Sequence, residues 1–224
     1  MPSKTEIEML RTTEYLIDHG LGAHVFTESD FKCLFAIDRP QKQYALINKA
    51  LHKKELVRLC RGTYVLAAKY RAPQLNPFSI ACQMVQGSYV SLESALSYHG
   101  WIPERVETIS CVLEKGRTRA FTNTIAHITY FKIPFNDYEF LNGILRVELL
   151  GKPFFIAGPL RALCDLIYKR KIEQANLEYC LESLRIEKND LRALTSDDFT
   201  QLMSVYRSKR ILQFLASLKT DLRK

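Results

Sequence analysis

The sequence YVSLESALSYHGW, residues 89–101, contains residue types that enzymes use for nucleophilic catalysis. A serine nucleophile needs a histidine base within hydrogen-bond reach, a third group that orients the histidine, and donors for the oxyanion. Ser94 and His99 are five positions apart, which places them on poorly matched faces of a helix, and no G-x-S-x-G motif is present. The stretch is therefore interpreted as scaffold, with Ser91 as a helix N-cap and His99 as a packed histidine.

The rest of the sequence has no motif for a metal, a cofactor or a catalytic group. It lacks the GxxxxGK[ST], GxGxxG and HExxH patterns, and its six cysteines include no CxxC pair. The cysteines are interpreted as buried, reduced thiols. Arg161 and Asp165 are expected to form a pair on a helix surface, and His127 is interpreted as structural. These residues predict a protein without enzymatic activity, cofactor or metal.

Basic residues are concentrated in one short segment. Residues 1–38 contain three Lys or Arg and seven Asp or Glu, whereas residues 39–72 contain nine basic residues and one acidic residue, Glu55. The whole chain has a formal net charge of +8. Because a local basic excess is typical of nucleic-acid-binding surfaces, residues 39–72 are the first candidate for a DNA contact. The alternative is that these lysines form only a solvated helix face.

The elements that would position this segment are three short helices and a hairpin. TEIEMLRTTEYLIDHG has apolar residues near helical spacing, and FTESDFKCLFAI offers Thr27 as an N-cap. The third helix, RPQKQYALINKALHKKEL, begins near Pro40, with Tyr44, Ile47 and Leu51 expected on one apolar face. ELVRLCRGTYVLAAKY alternates and turns at its central RG pair, which is typical of a β-hairpin.

Three helices followed by a basic hairpin are the pattern of a winged helix-turn-helix domain, which we assign to residues 1–72. In such folds the recognition helix lies in the major groove, with its N-terminal part nearest the bases. Glutamine amides suit adenine edges, whereas arginine and lysine meet guanine edges or phosphate. Arginines around the hairpin turn are expected to touch the DNA backbone or the minor groove. The residues expected to contact DNA are Arg39, Gln41, Lys42, Gln43, Lys49, Arg58 and Arg61.

Residues 73–224 are expected to form a larger mixed α/β domain, after a boundary in RAPQLNP at 71–77. The fold class is therefore α+β, with an antiparallel sheet and C-terminal helices in the second domain. The strands are predicted at 107–114, 125–133 and 143–150, with KGRTRAFTN at 115–123 as a basic turn. Later helices are predicted in GPLRALCDLIYKRK, in IEQANLEYCLESLRI and, as one long amphipathic helix, in SDDFTQLMSVYRSKRILQFLASLK.

Composition predicts a globular protein without membrane attachment. Apolar residues make up 47% and charged residues 25% of the chain, which are ordinary values. No apolar run approaches the roughly 18–20 residues that a membrane helix needs. The first residues, MPSKTEIEML, lack the apolar core of a signal peptide. We therefore expect a cytoplasmic protein.

The chain resembles the AbiEi antitoxin family of type IV toxin–antitoxin systems. The resemblance extends to about Lys171 and is most specific in S-x-x-S-A-L-x-x-H-G at Ser91–Gly100 and A-L-x-D-L at Ala162–Leu166. It implies a winged-helix domain that binds inverted repeats in its own promoter and represses the operon. It also implies a C-terminal domain that opposes a nucleotidyltransferase-like toxin in abortive infection, without the need for a stable complex. The family has no catalytic motif to transfer.

Two other functions remain open from the sequence. The first is a solitary winged-helix regulator, without a toxin partner, whose C-terminal domain binds a ligand or a protein. The second is an enzyme, which would need a pocket with a carboxylate or histidine of shifted pKa near Ser94 and His99. A neighbouring nucleotidyltransferase gene would distinguish the antitoxin from the solitary regulator.

Overall fold

The computed structural model describes residues 13–71, 75–149 and 151–223 of the chain. These residues form a mixed α+β structure with a small antiparallel sheet and a larger mixed sheet. No helix within these three ranges is long and apolar enough to cross a membrane. Residues 1–12 of the first predicted helix, and 72–74 of the predicted domain boundary, lie outside the described residues.

The N-terminal part contains three helices and three short strands, and the predicted helices and hairpin are confirmed within the described range. The Thr27 hydroxyl accepts a hydrogen bond from the amide of Asp30, and the Asp30 carboxylate accepts one from the amide of Thr27, which caps the second helix as predicted. The elements are α1 (13–18), β1 (Phe26–Thr27), α2 (Glu28–Leu34), α3 (Pro40–His52), β2 (Leu56–Cys60) and β3 (Thr63–Leu66).

The small sheet has the strand order β1-β3-β2, and both pairings are antiparallel. Thus β3, the last of the three strands in the chain, lies in the middle. The helices and this sheet enclose one apolar core, since each contributes at least one side chain that is nearly inaccessible to water. The buried members of this core are Leu16, Phe26, Phe31, Ile47, Ala50, Leu56, Tyr64 and Leu66.

The rest of the chain forms a six-stranded sheet with helices against it. The sheet order is β6-β7-β5-β4-β9-β8. The strands are β4 (Ser88–Val90), β5 (Thr108–Leu113), β6 (Arg119–Thr122), β7 (His127–Lys132), β8 (Ile144–Leu149) and β9 (Lys152–Ala157). The helices are α4 (Pro77–Met84), α5 (Leu92–Tyr98), α6 (Pro159–Arg170), α7 (Lys188–Arg192), α8 (Ser196–Met203) and α9 (Lys209–Asp221).

Two expectations about this sheet were wrong. The sheet is mixed rather than antiparallel, because β5 pairs parallel with β7 and β4 pairs parallel with β9. The segment 115–123 is also more than a turn, since it contains β6, which pairs antiparallel with β7. The three strands predicted at 107–114, 125–133 and 143–150 are confirmed as β5, β7 and β8.

Two of the predicted C-terminal helices are interrupted. The long helix expected over the last segment is split into α8 and α9 around Tyr206, because Asn136 donates hydrogen bonds to the carbonyls of Ser204 and Val205. Tyr206 then pairs with Phe135 in an isolated β-bridge. The helix expected over IEQANLEYCLESLRI is reduced to one π-helical turn at Tyr179–Ser183 with short flanks.

Candidate nucleic-acid interface and the buried polar network

Helix α3 turns its polar side to water. Ile47 and Ala50 are buried against the N-terminal core, so the positions on the opposite side of the helix face outward. These outward positions include Gln41, Lys42 and Asn48, all exposed. Pro40 occupies the first turn, where its missing N–H costs little, as the sequence predicted. The helix thus presents polar and basic groups that are free to meet a partner.

Tyr44 does not lie on the inner face of α3, contrary to prediction. It is 57% exposed, because Ile47 and Ala50 define the buried side of the helix and Tyr44 is rotated by about 120° from Ala50. Tyr44 instead lines a cleft between α3 and the β2–β3 hairpin, together with Arg58, Arg61 and Tyr64. A phenol ring in a cleft that two arginines also line can stack on a base or sugar or hydrogen-bond to phosphate.

The hairpin places its two arginines on the wall of this cleft. Arg61 is exposed at the β2–β3 turn, which Gly62 closes with a φ of 74°, a conformation that favours glycine. The Arg58 guanidinium lies 5.6 Å from the ring centroid of Tyr64, a cation–π contact that holds the arginine beside the cleft. Glu28 also lines the cleft, so the wall is not uniformly basic.

The seven predicted contact residues differ in their exposure to water. Arg39 is exposed at the N-cap of α3, near Gln41 and Lys42. Gln43 is half-buried and donates its side-chain amide to the backbone carbonyl of Glu28, so it joins α2 to α3. Lys49 is also half-buried, in the last turn of α3. The candidate DNA-contact surface therefore consists mainly of the exposed groups at the start of α3 and at the hairpin.

Strand β6, in a segment predicted to be only a turn, lies next to the hairpin. Asn123, just after β6, donates from Nδ2 to the carbonyl of Leu59 in β2 at 3.4 Å, and Thr122 lines the cleft with the hairpin arginines. Strand β6 begins at Arg119, whose basic side chain is exposed. The basic composition of 115–123 was the only sequence signal for a role of this segment in DNA binding. Its contact with the hairpin could not be predicted, because Asn123 and Leu59 are 64 residues apart in the sequence.

The stretch at 89–101 is a strand-to-helix connection, and its serines are structural. Ser94 donates from Oγ to the carbonyl of Thr108 at 2.9 Å and accepts from the amide of Ser110 at 2.8 Å. His99 Nε2 lies 2.8 Å from the carbonyl oxygen of Ala157. Since both side chains are bonded to the backbone, neither is placed to act as a nucleophile or its base, which agrees with the interpretation as scaffold.

Ser91 does not cap α5, contrary to prediction. It occupies the N-cap position, but its hydroxyl donates to Asp165 Oδ2 at 2.7 Å. The next residue, Leu92, has a φ of 54°, a left-handed conformation that costs a non-glycine residue roughly 1–2 kcal/mol. In a nucleophile elbow the strained residue carries the reactive group. Here it is a fully buried leucine, which supports packing rather than catalysis.

Arg161 and Asp165 are buried, not on a helix surface as predicted. Arg161 is 1% exposed and Asp165 is fully inaccessible, although the two are four residues apart on α6. Asp165 also accepts hydrogen bonds from Tyr89 at 2.8 Å and Tyr206 at 2.6 Å. These contacts, with Ser91, satisfy both carboxylate oxygens, as a buried charge requires.

Aromatic rings surround the arginine of this buried network. The Arg161 guanidinium lies 4.4 Å from the ring centroid of Phe135 and 5.0 Å from that of Tyr206. It also donates to the hydroxyl of Tyr89 at 2.9 Å and to the carbonyl of Asn142 at 3.0 Å. Burial raises the pKa of both tyrosine phenols well above the usual range, with the charge of Asp165 as a further cause, so the phenols stay neutral donors.

The expected burial of the cysteines is only partly confirmed. All six are free thiols, of which Cys111, Cys164 and Cys180 are buried. Cys33 is exposed, because its position on α2 lies on the outer side of that short helix. Within the described residues, no group of three or more His, Cys, Asp or Glu side chains is arranged to hold a metal ion.

No protein-family model matches the chain, and no curated protein matches it significantly. The resemblance to AbiEi antitoxins thus rests on the residues that carry it. The structure joins the two most specific motifs, because Ser91 of the first bonds to Asp165 of the second. Both motifs therefore encode the buried attachment of α5 to α6 within a mixed α+β structure.

Proposed function

We propose that this protein is a DNA-binding transcriptional repressor with a winged helix-turn-helix at residues 1–72, and that it acts as an antitoxin of the AbiEi type. The observation that carries the proposal is the order of elements, α1-β1-α2-α3-β2-β3, with β3 between β1 and β2 in the sheet. In this arrangement α3 is the recognition helix and the β2–β3 hairpin is the wing.

Electrostatics support the same assignment. Exposed Arg39 and Lys42 lie at the start of α3, the end that enters the major groove in helix-turn-helix proteins. Arg58 and Arg61 lie across the cleft on the hairpin, where phosphate contacts would fix the register of α3 on the duplex. Gln41 is exposed and suits an adenine edge, whereas Gln43 supports the helix pair through its bond to Glu28.

Operator binding is tested with the full chain and the protein's own upstream DNA. Fluorescence anisotropy with this duplex and a scrambled duplex, at two salt concentrations, separates specific from non-specific binding. Lys42→Glu is expected to weaken binding to the upstream DNA at least tenfold. Lys188→Glu, an exposed lysine on α7, is the matched charge-reversal control and is expected to have little effect.

Arg61→Ala tests the role of the hairpin. A phosphate contact contributes equally to any sequence, so this variant is expected to weaken binding to both duplexes and to lower the salt slope by about one. Equal affinity of the folded wild-type chain for both duplexes would contradict the repressor. An unchanged affinity in folded Lys42→Glu would contradict α3 as the recognition helix.

The antitoxin activity rests on the resemblance and needs a separate test. If a gene for a nucleotidyltransferase-like protein adjoins this one, its expression alone is expected to arrest growth, and co-expression of this chain is expected to restore it. Because the resemblance implies no stable complex, co-purification is not required. Failure to restore growth, by a chain that still represses its promoter, would contradict the antitoxin and favour the solitary regulator.

A further inference from the structure

A cavity of about 580 Å³ lies between the N-terminal elements and the larger sheet. His24, Val25 and Thr27, around β1, form one side of this cavity. Gln83 of α4 and Phe155 of β9 are among the lining residues that the rest of the chain contributes. The volume falls within the range of small-molecule sites in proteins, roughly 300–1,000 Å³.

The walls of this cavity are mainly apolar and aromatic. Tyr89, Phe140, Phe154 and Phe155 are among its lining residues, together with Leu141. Leu141 is 66% exposed and Phe155 is 45% exposed, so large apolar side chains meet water at the cavity. Covering such surface by a ligand is favourable, because it removes apolar area from water.

Lys152 is the cationic side chain at the cavity. Lys152, at the start of β9, lines the cavity and forms no ion pair with any described residue. Burial and then the charge of Lys152 lower the pKa of His24, so this histidine adds no charge at neutral pH. Asp30 also lines the cavity, but its carboxylate accepts hydrogen bonds from the amide and hydroxyl of Thr27, at 2.7 and 2.8 Å.

We propose that this cavity binds a small amphipathic monoanion, an aromatic or aliphatic acid. Its apolar body lies against Phe140 and Phe155, and its anionic group lies against the ammonium group of Lys152. The site is distinct from the DNA-contact surface, and its existence does not depend on the proposed function.

A ligand in this cavity touches both parts of the chain. Val25 donates its backbone N–H to Gln83 Oε1 at 3.4 Å, and β1, which follows Val25, pairs with β3 of the hairpin. The ligand therefore contacts the connection that supports the proposed wing. We infer that it alters DNA affinity, and this second step rests on the proposed function.

The probe for the cavity is anilinonaphthalene sulfonate, an aromatic anion that fluoresces in apolar surroundings. Titration of the full chain is expected to show one site, and Lys152→Glu is expected to weaken binding at least tenfold. Lys188→Glu is the matched control, because it also reverses a lysine charge but at an exposed position on α7 that does not line the cavity. Anilinonaphthalene without the sulfonate is expected to bind wild type and Lys152→Glu equally.

Several outcomes decide the ligand proposal. Equal affinity of wild type and Lys152→Glu for the sulfonate, with both chains folded by circular dichroism, would overturn it. Several weak sites per chain would overturn it as well, since they would indicate only scattered apolar surface. Phe155→Ala is the second variant, and it is expected to weaken both the sulfonate and the neutral probe.

The effect on DNA is measured separately, as anisotropy of the upstream duplex with and without saturating decanoate. Wild type is expected to change its affinity at least threefold, and Lys152→Glu is expected to show no change. If the probe binds but the DNA affinity does not change, the inferred effect on DNA binding is wrong, whereas the proposed ligand site still holds. If no specific DNA binding is found, the proposed function fails, and the sulfonate titration still decides the cavity.

Discussion

Asp165 joins α6 to other segments of the larger domain through a buried carboxylate. Three hydroxyl groups and one guanidinium converge on its carboxylate, from Tyr89, Ser91, Tyr206 and Arg161. Tyr89 lies in β4, Ser91 lies between β4 and α5, and Tyr206 lies between α8 and α9. One buried carboxylate therefore joins three segments that are distant in the sequence.

Asp165→Ala is expected to lower the free energy of unfolding by about 3–5 kcal/mol, because it leaves the Arg161 charge buried without its partner. Tyr206→Phe, which removes one hydrogen bond and keeps the ring, is expected to cost about 1–3 kcal/mol. Urea unfolding followed by circular dichroism measures both values. A loss below about 1 kcal/mol in Asp165→Ala would contradict the role given to this network.

His24 makes stability depend on pH. Burial, with the charge of Lys152 as the second cause and Asp30 opposing, lowers the pKa of His24 below its usual 6.5. The unfolded chain then binds more protons than the folded chain between these two pKa values, so stability rises with pH. We expect the free energy of unfolding to fall as the pH drops below 6.5 towards the lowered pKa of folded His24.

The variant His24→Asn is expected to reduce this fall, since it removes the titrating group. Urea unfolding at pH 7.5 and at pH 5.5 measures the difference for each chain. His52→Asn, at an exposed position at the end of α3, is the control and is expected to retain the wild-type dependence. An identical pH dependence in wild type and His24→Asn would contradict the assignment.

Among the elements, the N-terminal helices and the hairpin were the most predictable from sequence. Their signals are local: a capping box at Thr27, Pro40 in the first turn of α3, and a glycine at the hairpin turn. The predicted direction of Tyr44 was wrong, because an aromatic residue at the border of an apolar stripe can point either to the core or to solvent. Its position is decided by the cleft beside the hairpin, which the sequence does not encode locally.

The elements that were wrong depend on contacts between distant segments. No periodicity distinguishes one long helix from α8 followed by α9, because the interruption is made by Asn136, which bonds to two carbonyls after α8. The burial of Arg161 and Asp165 depends in the same way on Tyr89 and Tyr206. A charged pair at a spacing of four residues has the same pattern whether solvent or protein surrounds it.

Strand β6 is expected to extend the DNA-contact surface beyond the hairpin. Thr122 lies at the cleft, and Arg119 lies three residues away, about 10 Å along the strand. Arg119→Glu is therefore expected to weaken binding to the upstream and scrambled duplexes by a similar factor, about threefold to tenfold, and to lower the salt slope. Anisotropy measures both quantities, with Lys188→Glu as the control. An unchanged salt slope would limit the surface to α3 and the hairpin.

At the scale of the whole molecule, a third apolar cluster joins the N-terminal elements to the larger sheet. Val25, Leu59 and Val65 from the N-terminal part pack with Ile80 of α4, and all four are buried. Ile125, after β6, packs against the same cluster. Since apolar contact of this kind is lost only when the two parts separate, we expect them to unfold together.

Ile80→Asp tests this coupling, because it places a charge in the joining cluster. Trp101, the only tryptophan, is buried in the core of the larger sheet, whereas far-ultraviolet circular dichroism reports on all helices. In wild type the two signals are expected to change at the same urea concentration. In Ile80→Asp the dichroism signal is expected to show an additional transition at lower urea concentration, from unfolding of the N-terminal part. Trp101 fluorescence is expected not to change in that transition. Coincident transitions in this variant would show that the hydrogen bonds of Val25 and Asn123 suffice to couple the two parts.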